Sequence, residues 1–222
     1  VNDTPVQYVE AGPADDRRRI AVILAEAEAP GSDRIIVWLG GYRSDMSGTK
    51  AVVLQAHAAK LEIPFLRFDY SGHGQSSGSY QDGSISDWLE DTMAVIDRYA
   101  AGRKLLLVGS SMGGWIALRL IEQLRKRRGP TQACGLVLIA PAPDFTHALI
   151  EPRLTDAERA SLAERGYFEE PSGYASEPNR FTRKLIEDGR NNLVLEGLID
   201  TGCPVHILQG MQDPDVPYRH AL

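Results

Sequence analysis

The sequence predicts one α/β domain, residues 1–222, built on a mostly parallel, doubly wound sheet. Short apolar runs typical of buried strands alternate with longer segments whose apolar residues recur at helical spacing. This alternation favours parallel strands joined by crossover helices. A Gly-x-Ser-x-Gly turn joins the most apolar run, residues 105–108, to a helical pattern that continues to Leu124. A chain of 222 residues is long enough to bury one substantial core.

The turn at residues 109–113 has the spacing of a nucleophile elbow, a sharp corner between a strand and a helix that exposes a serine. Ser111 occupies its central position, with the N-terminus of the following helix behind it. We expect glycine at positions 109 and 113 because the strand and the helix pass too closely there for a Cβ atom. The pattern predicts Ser111 as a nucleophile.

A second stretch, Gly74-Gln75-Ser76-Ser77-Gly78, has the same spacing. It lies in a segment rich in glycine and serine, with no apolar strand directly before it and no apolar helix directly after it. The context therefore favours a structural role for Ser76 and the catalytic role for Ser111.

The other elements are predicted from the same two periodicities. In chain order they are an antiparallel pair at residues 8–9 and 20–25, a strand at 35–39, a helix at 49–61, a strand at 64–69, a helix at 85–100, and strands at 136–140 and 204–208. The helix at 85–100 returns the chain to the strand that carries the elbow.

The strand at residues 35–39 ends in Gly40-Gly41-Tyr42. In this architecture the loop after the third strand supplies one amide of an oxyanion hole, and glycines let the backbone approach a substrate oxygen. The hypothesis is that the N–H groups of Tyr42 and Met112 are the two donors. The alternative is an ordinary Gly-Gly turn.

About fifty-five residues separate the last two predicted strands, far more than an ordinary connection. Thr155 and Glu158 form a capping box that opens a short helix, and aromatic residues are spread through the charged sequence after it, at Tyr167, Phe168, Tyr174 and Phe181. We interpret residues 143–203 as a lid inserted between strands six and seven, over Ser111, because the segment is too small and too polar to hold its own core. The alternative is a surface excursion far from Ser111.

The strand at residues 204–208 is followed by Asp213 and Asp215. An acid at the carboxyl end of a strand, beside the carboxyl end of the strand that carries Ser111, can orient a catalytic histidine. We predict Asp213 for this role. Asp144 also follows a strand and is the main rival, and Asp215 is a lesser one.

The net charge of −6 argues against nucleic acid or an anionic membrane as a partner. The basic run at residues 125–128 is interpreted as the end of the elbow helix, where cations complement the helix dipole. Cys134 and Cys203 have neither metal-site nor redox spacing, and no apolar run approaches transmembrane length, so we expect a cytoplasmic protein without a metal. The oligomeric state, the substrate-binding residues and the presence of a leader before Val1 stay open.

Four stretches together resemble the serine α/β-hydrolases of the abhydrolase group, and within it bacterial relatives of a mitochondrial acyl-protein thioesterase that also cleaves acyl glucuronides. These stretches are residues 41–51, 67–72, 108–115 and 210–213. The resemblance covers essentially the whole chain and implies an α/β-hydrolase fold, with Ser111 as nucleophile, Asp213 as acid, and the amides of Tyr42 and Met112 as the oxyanion hole. It also implies hydrolysis of carboxylic esters or thioesters through an acyl-enzyme, on a small-molecule or acyl-chain substrate, without a cofactor.

The third catalytic residue of that family is a histidine after a further helix and strand. His220 follows Asp213, but it is only seven positions further along the chain, too few to hold both elements. The other histidines lie before the elbow (His57 and His73), in the lid (His147) or within a strand (His206). We therefore expect the triad histidine, the final strand and the final helix to lie beyond Leu222.

A protein that stopped at Leu222 is expected to be aggregation-prone and inactive, because its last strand would be an uncovered sheet edge and its serine would lack a base. The alternative function is a non-catalytic, ligand-binding protein of the same fold, since a fold does not fix a function.

Overall fold

The computed structural model describes residues 4–27, 32–173 and 177–221. Its strands are β1 (Gln7–Ala11), β2 (Arg18–Ala25), β3 (Arg34–Leu39), β4 (Phe65–Phe68), β5 (Lys104–Ser110), β6 (Gln132–Ile139), β7 (Tyr167–Glu170), β8 (Asn179–Thr182) and β9 (Val205–Leu208). Its α-helices are α1 (Thr49–Lys60), α2 (Ile85–Tyr99), α3 (Met112–Arg127), α4 (Asp156–Arg165) and α5 (Arg183–Arg190).

Seven strands form the central sheet in the order β1-β2-β4-β3-β5-β6-β9. The pairs β1/β2 and β2/β4 are antiparallel, and all the others are parallel. The prediction of a mostly parallel sheet with an opening antiparallel pair is confirmed. In the described part of the chain β9 is an edge strand, and all four of its residues are exposed.

The two faces of the sheet carry separate apolar clusters because successive side chains of a strand point to opposite sides. Along β3, Ile35, Val37 and Leu39 join the larger cluster, which also holds the inward faces of α2 and α3. Ile36 and Trp38 join the smaller cluster, against α1. The helix that follows the elbow, α3, therefore packs on the face of the sheet that carries the larger cluster.

The segment at residues 143–203 contains α4, α5 and a two-stranded antiparallel hairpin, β7–β8. The predicted capping box of Thr155 and Glu158 is present, and Gly166 is the C-cap of α4. Phe168 and Phe181 are buried in the same cluster as the main sheet, so the segment packs on the core of the domain. Tyr174 lies outside the described residues. We call residues 143–203 the insertion.

Candidate active site

Ser111 lies at the corner where β5 ends and α3 begins, with φ 53° and ψ −120°. This backbone conformation is strained for a residue other than glycine, and such residues cluster at functional sites. Hydrogen bonds hold it there: the Ser111 amide donates to the Ile139 carbonyl at 3.0 Å, and its carbonyl accepts from Gly114 and Ala142. The fold thus maintains the strain and leaves Ser111 partly exposed.

The glycines beside Ser111 allow a close approach of strand and helix. A Cβ atom at Gly109 would lie 2.5 Å from the Gly113 carbonyl oxygen. A Cβ atom at Gly113 would lie 2.1 Å from the Leu39 carbonyl oxygen, at the end of β3. Both contacts are with backbone atoms, so the reason given from the sequence for these two glycines is confirmed.

Ser76 lies in the second turn of the same spacing, and its hydroxyl joins the loop after β4 to β2. Its Oγ donates to the Asp69 carbonyl oxygen at 2.6 Å and accepts from the Ala21 amide at 2.8 Å. These bonds tie the loop after β4 to β2. The hydroxyl therefore has a structural role, as its context predicts.

The segment after β3, residues 40–43, lies directly against Ser111, and we call it the oxyanion loop after the role predicted for it from the sequence. A Cβ atom at Gly41 would lie 3.4 Å from Ser111 Cβ and 4.0 Å from its Oγ. Among hydrogen bonds between described residues, neither the Tyr42 amide nor the Met112 amide is a donor. Both candidate oxyanion donors are thus available for a substrate oxygen.

His73 holds the oxyanion loop from one side. Its Nε2 accepts from the Arg43 amide at 3.0 Å, and its Nδ1 lies 3.0 Å from the Ser71 carbonyl oxygen. Burial lowers the pKa of His73, which favours a neutral ring with the proton on Nδ1. In that form Nδ1–H donates to Ser71 and Nε2 accepts from Arg43, so His73 supports the turn.

A pocket of about 700 Å³ opens at Ser111. Its lining combines the elbow and the oxyanion loop with residues of the insertion, among them Phe145, Leu149, Ile150 and Phe181. Cationic and anionic side chains also line it, including Arg43, Lys50, Arg153 and Glu170. The sequence left these pocket-lining residues unassigned, because they come from segments far apart in the chain.

Of the three candidate acids, Asp213 and Asp215 line the pocket and Asp144 does not. Asp213 lines the pocket, and its Oδ1 accepts from the Asp215 and Val216 amides at 3.0 and 2.9 Å. Asp144 is buried, its carboxylate accepts from the Val194 and Leu195 amides, and burial raises its pKa. Asp144 is absent from the pocket lining. The pocket lining favours Asp213 over Asp144, and it leaves Asp215 as the lesser alternative.

The strand before Asp213, β9, is separated from β5 by β6, which is hydrogen-bonded to both. The carboxyl ends of β5 and β9 still reach the same edge of the sheet, since the three strands are parallel. Asp213 therefore reaches the pocket from the second strand along the sheet from β5.

None of the five histidines is among the described residues that line the pocket. Both ring nitrogens of His73 have backbone partners, His147 Nδ1 is 2.8 Å from Glu151, and His220 Nε2 is 2.7 Å from the Pro143 carbonyl oxygen. His57 and His206 are exposed on α1 and β9. The general base of a serine mechanism is therefore not assigned to any of them.

The described residues contain no group of three or more His, Cys, Asp or Glu side chains arranged to hold a metal ion. Within them, no helix is both long and apolar enough to cross a membrane.

Proteins named as thioesterases are similar to this chain in sequence. The chain is 33% identical over 204 residues to the mouse palmitoyl-protein thioesterase ABHD10, mitochondrial, and 30% identical over 200 residues to the human protein of that name. Each match covers 90% of this chain but only 65% of the mouse protein and 63% of the human one. The chain thus spans less than two thirds of these relatives. Their names place them in mitochondria, and the cytoplasmic location stays a prediction.

Solved structures agree with the sequence matches. A putative hydrolase from Agrobacterium vitis is 57% identical with a TM-score of 0.94, and the match covers 99% of this chain and 84% of that one. Mouse alpha/beta hydrolase domain-containing protein 10 is 27% identical with a TM-score of 0.81, over 98% of this chain and 82% of that one. The sequence profile of the alpha/beta hydrolase family matches residues 30–222. The chain therefore belongs to the alpha/beta hydrolase family.

Proposed function

We propose that the protein is a serine hydrolase that cleaves carboxylic esters or thioesters through an acyl-enzyme on Ser111. The observation that carries this proposal is the strained backbone of Ser111 at the corner between β5 and α3, beside a 700 Å³ pocket. Two available amides next to that serine, and relatives named as thioesterases, support it.

In the first half of the proposed reaction, Ser111 Oγ forms a bond to the carbonyl carbon of the substrate and gives its proton to a general base. The carbonyl electron pair moves onto oxygen, and the Tyr42 and Met112 amides donate to the resulting oxyanion. The tetrahedral intermediate then breaks its bond to the leaving oxygen or sulfur, which takes the proton from the base. The acyl group remains on Ser111.

In the second half, a water molecule attacks the acyl carbon and gives a proton to the same base. The oxyanion forms again at the two amides, and collapse of the intermediate returns the proton to Ser111 Oγ and releases the carboxylic acid. Asp213 is the proposed orienting acid for the base, since it lines the pocket and its Oδ1 is held by two backbone amides.

The pocket lining has apolar and charged residues, which suit different parts of a substrate. Phe145, Leu149 and Ile150 provide an apolar wall from the insertion, which suits the hydrocarbon part of an acyl group. The charged residues on the lining suit a polar alcohol or thiol part. We therefore propose acyl esters or acyl thioesters with a polar leaving group as the substrate class.

The test is labelling of the full-length protein with a fluorophosphonate probe, together with hydrolysis of acyl esters and thioesters of graded chain length. We expect Ser111→Ala to abolish both labelling and hydrolysis. Ser76→Ala is the matched control: it removes two hydrogen bonds, so it should lower stability by about 1–3 kcal/mol while most activity remains.

Equal losses of activity in the two folded variants would move the nucleophile away from Ser111. A folded wild-type protein that neither reacts with the probe nor hydrolyses any substrate of the panel would contradict the proposal. Binding of an ester without turnover would then favour the non-catalytic alternative.

A further inference from the structure

The side chain of Tyr42, a residue of the pocket lining, contacts the insertion. Its ring stacks on Phe181 of β8, with centroids 5.5 Å apart and planes at 14°. Its hydroxyl donates to the Arg180 carbonyl oxygen at 2.6 Å. Burial raises the pKa of Tyr42 well above its usual value, so the hydroxyl keeps its proton and remains a donor.

Arg43, the next residue, holds the same strand of the insertion. Its guanidinium donates to the Pro178 carbonyl oxygen at 2.8 Å, to Asn179 Oδ1 at 3.0 Å and to the Glu177 carbonyl oxygen at 3.2 Å. Its own φ is 58°, a left-handed conformation, and its amide is held by His73. Two consecutive residues of the oxyanion loop therefore contact five consecutive residues of the chain, 177–181.

Other rings close around Tyr42 on the side of the main domain. Tyr80 and Trp88 meet it edge to face, at 5.8 and 5.9 Å. The ring is thus packed between the core and the insertion, and its backbone amide lies in the loop against Ser111. Among the described contacts, only the hydrogen bond to Arg180 holds the hydroxyl, so β8 fixes the outer end of this side chain.

We propose that the insertion positions the oxyanion hole, with the Tyr42 hydroxyl and the Arg43 guanidinium as the positioning groups that transmit the location of β8 to the Tyr42 amide. This inference rests on the proposed function, since it assigns that amide to the oxyanion. It gives the insertion a part in the chemical step in addition to forming the pocket wall. Neither positioning group needs to touch the reacting atoms.

The decisive variant is Tyr42→Phe, which keeps the ring and the amide and removes only the bond to Arg180. We expect kcat for a reactive ester to fall about tenfold and KM to change less than twofold. Removal of a whole oxyanion donor lowers kcat ~100- to 1000-fold, and a misplaced amide loses part of that rate enhancement. The matched control is Tyr99→Phe. The Tyr99 hydroxyl also donates to a backbone carbonyl, that of Tyr8, but far from the site.

A second measurement separates positioning from a loss of stability. A trifluoromethyl ketone with the acyl chain of the substrate adds to Ser111 Oγ and places an oxyanion in the hole, whereas the product carboxylate does not. In Tyr42→Phe we expect the affinity for the ketone to fall in parallel with kcat and that for the carboxylate to stay constant. In Tyr99→Phe both affinities and kcat should match the wild type.

The outcomes distinguish the two proposals. An active, probe-labelled wild type whose Tyr42→Phe variant has unchanged kcat and ketone affinity would overturn the positioning role alone. A change in KM with constant kcat would also overturn it, because it would assign the hydroxyl to substrate binding. A wild type without labelling or hydrolysis would overturn the proposed function, and this inference with it.

Discussion

At the scale of single residues, Asp213 and Asp144 both follow a strand of the sheet, yet only Asp213 lines the pocket at Ser111. We expect Asp213→Asn to lower kcat by up to ~10⁴, because an amide cannot hold the base in the required tautomer. Asp144→Asn should mainly lower stability, since it weakens bonds to the Val194 and Leu195 amides. Ester turnover, measured on variants whose circular dichroism matches the wild type, compares the two. The reverse ranking would assign the acid to Asp144.

The sequence was sufficient to separate Ser111 from Ser76 because the difference is local: an apolar strand before the turn and an apolar helix after it. It was insufficient to predict the hydrogen-bond partners of His73, whose ring joins Ser71 to Arg43 across 28 positions of the chain. A residue of this kind has no signature in its own neighbourhood. Only the folded chain brings its partners together.

At the scale of elements, the elbow requires α3 to approach the end of β3 closely. Gly113→Ala would place a Cβ atom 2.1 Å from the Leu39 carbonyl oxygen and 2.5 Å from that of Gly40. We expect a loss of about 2 kcal/mol or more in the free energy of unfolding, because backbone atoms on both sides must shift. Urea denaturation measures it.

The matched control for this substitution is Gly129→Ala, after the end of α3, where an added Cβ atom meets nothing within 4 Å. Its effect should stay below about 1 kcal/mol. If both alanine variants were as stable as the wild type, the close approach of α3 to β3 would not be the reason for glycine at position 113.

The long, strongly periodic elements could be predicted from the sequence, whereas the hairpin of the insertion could not. β7 and β8 have four residues each, with charged side chains among their aromatic ones. Their pairing depends on contacts across the turn, such as the Phe168 and Phe181 rings 5.4 Å apart and the Arg180–Glu169 ion pair at 2.8 Å. Segments this short carry too little periodicity to distinguish a strand from a loop. The contact between Tyr42 and Arg180, 138 positions apart, has no local pattern at all.

At the scale of the whole molecule, one buried carboxylate joins three separate parts of the domain. Asp91 of α2 is fully buried, its Oδ1 accepts from Arg18 Nε of β2 at 2.9 Å, and its Oδ2 accepts from the Ser71 amide at 2.9 Å. Arg18 Nη2 also reaches Glu90, whose side chain is exposed. The antiparallel β1–β2 pair is thus connected both to a helix of the larger core and to the loop that contains His73.

These contacts predict unequal effects for two adjacent acidic residues that share one arginine. Asp91→Ala leaves the partly buried Arg18 without its internal partner and the buried Ser71 amide without an acceptor, so we expect a loss of about 3–5 kcal/mol in the free energy of unfolding. Glu90→Ala removes an exposed ion pair of the same Arg18 and should cost about 1 kcal/mol or less. Urea denaturation at low and high salt measures both, and only the effect of Glu90→Ala should shrink as salt rises, since exposed pairs are screened more than buried ones. Equal losses in the two variants would mean that Arg18, rather than the buried carboxylate, determines how the β1–β2 pair is attached.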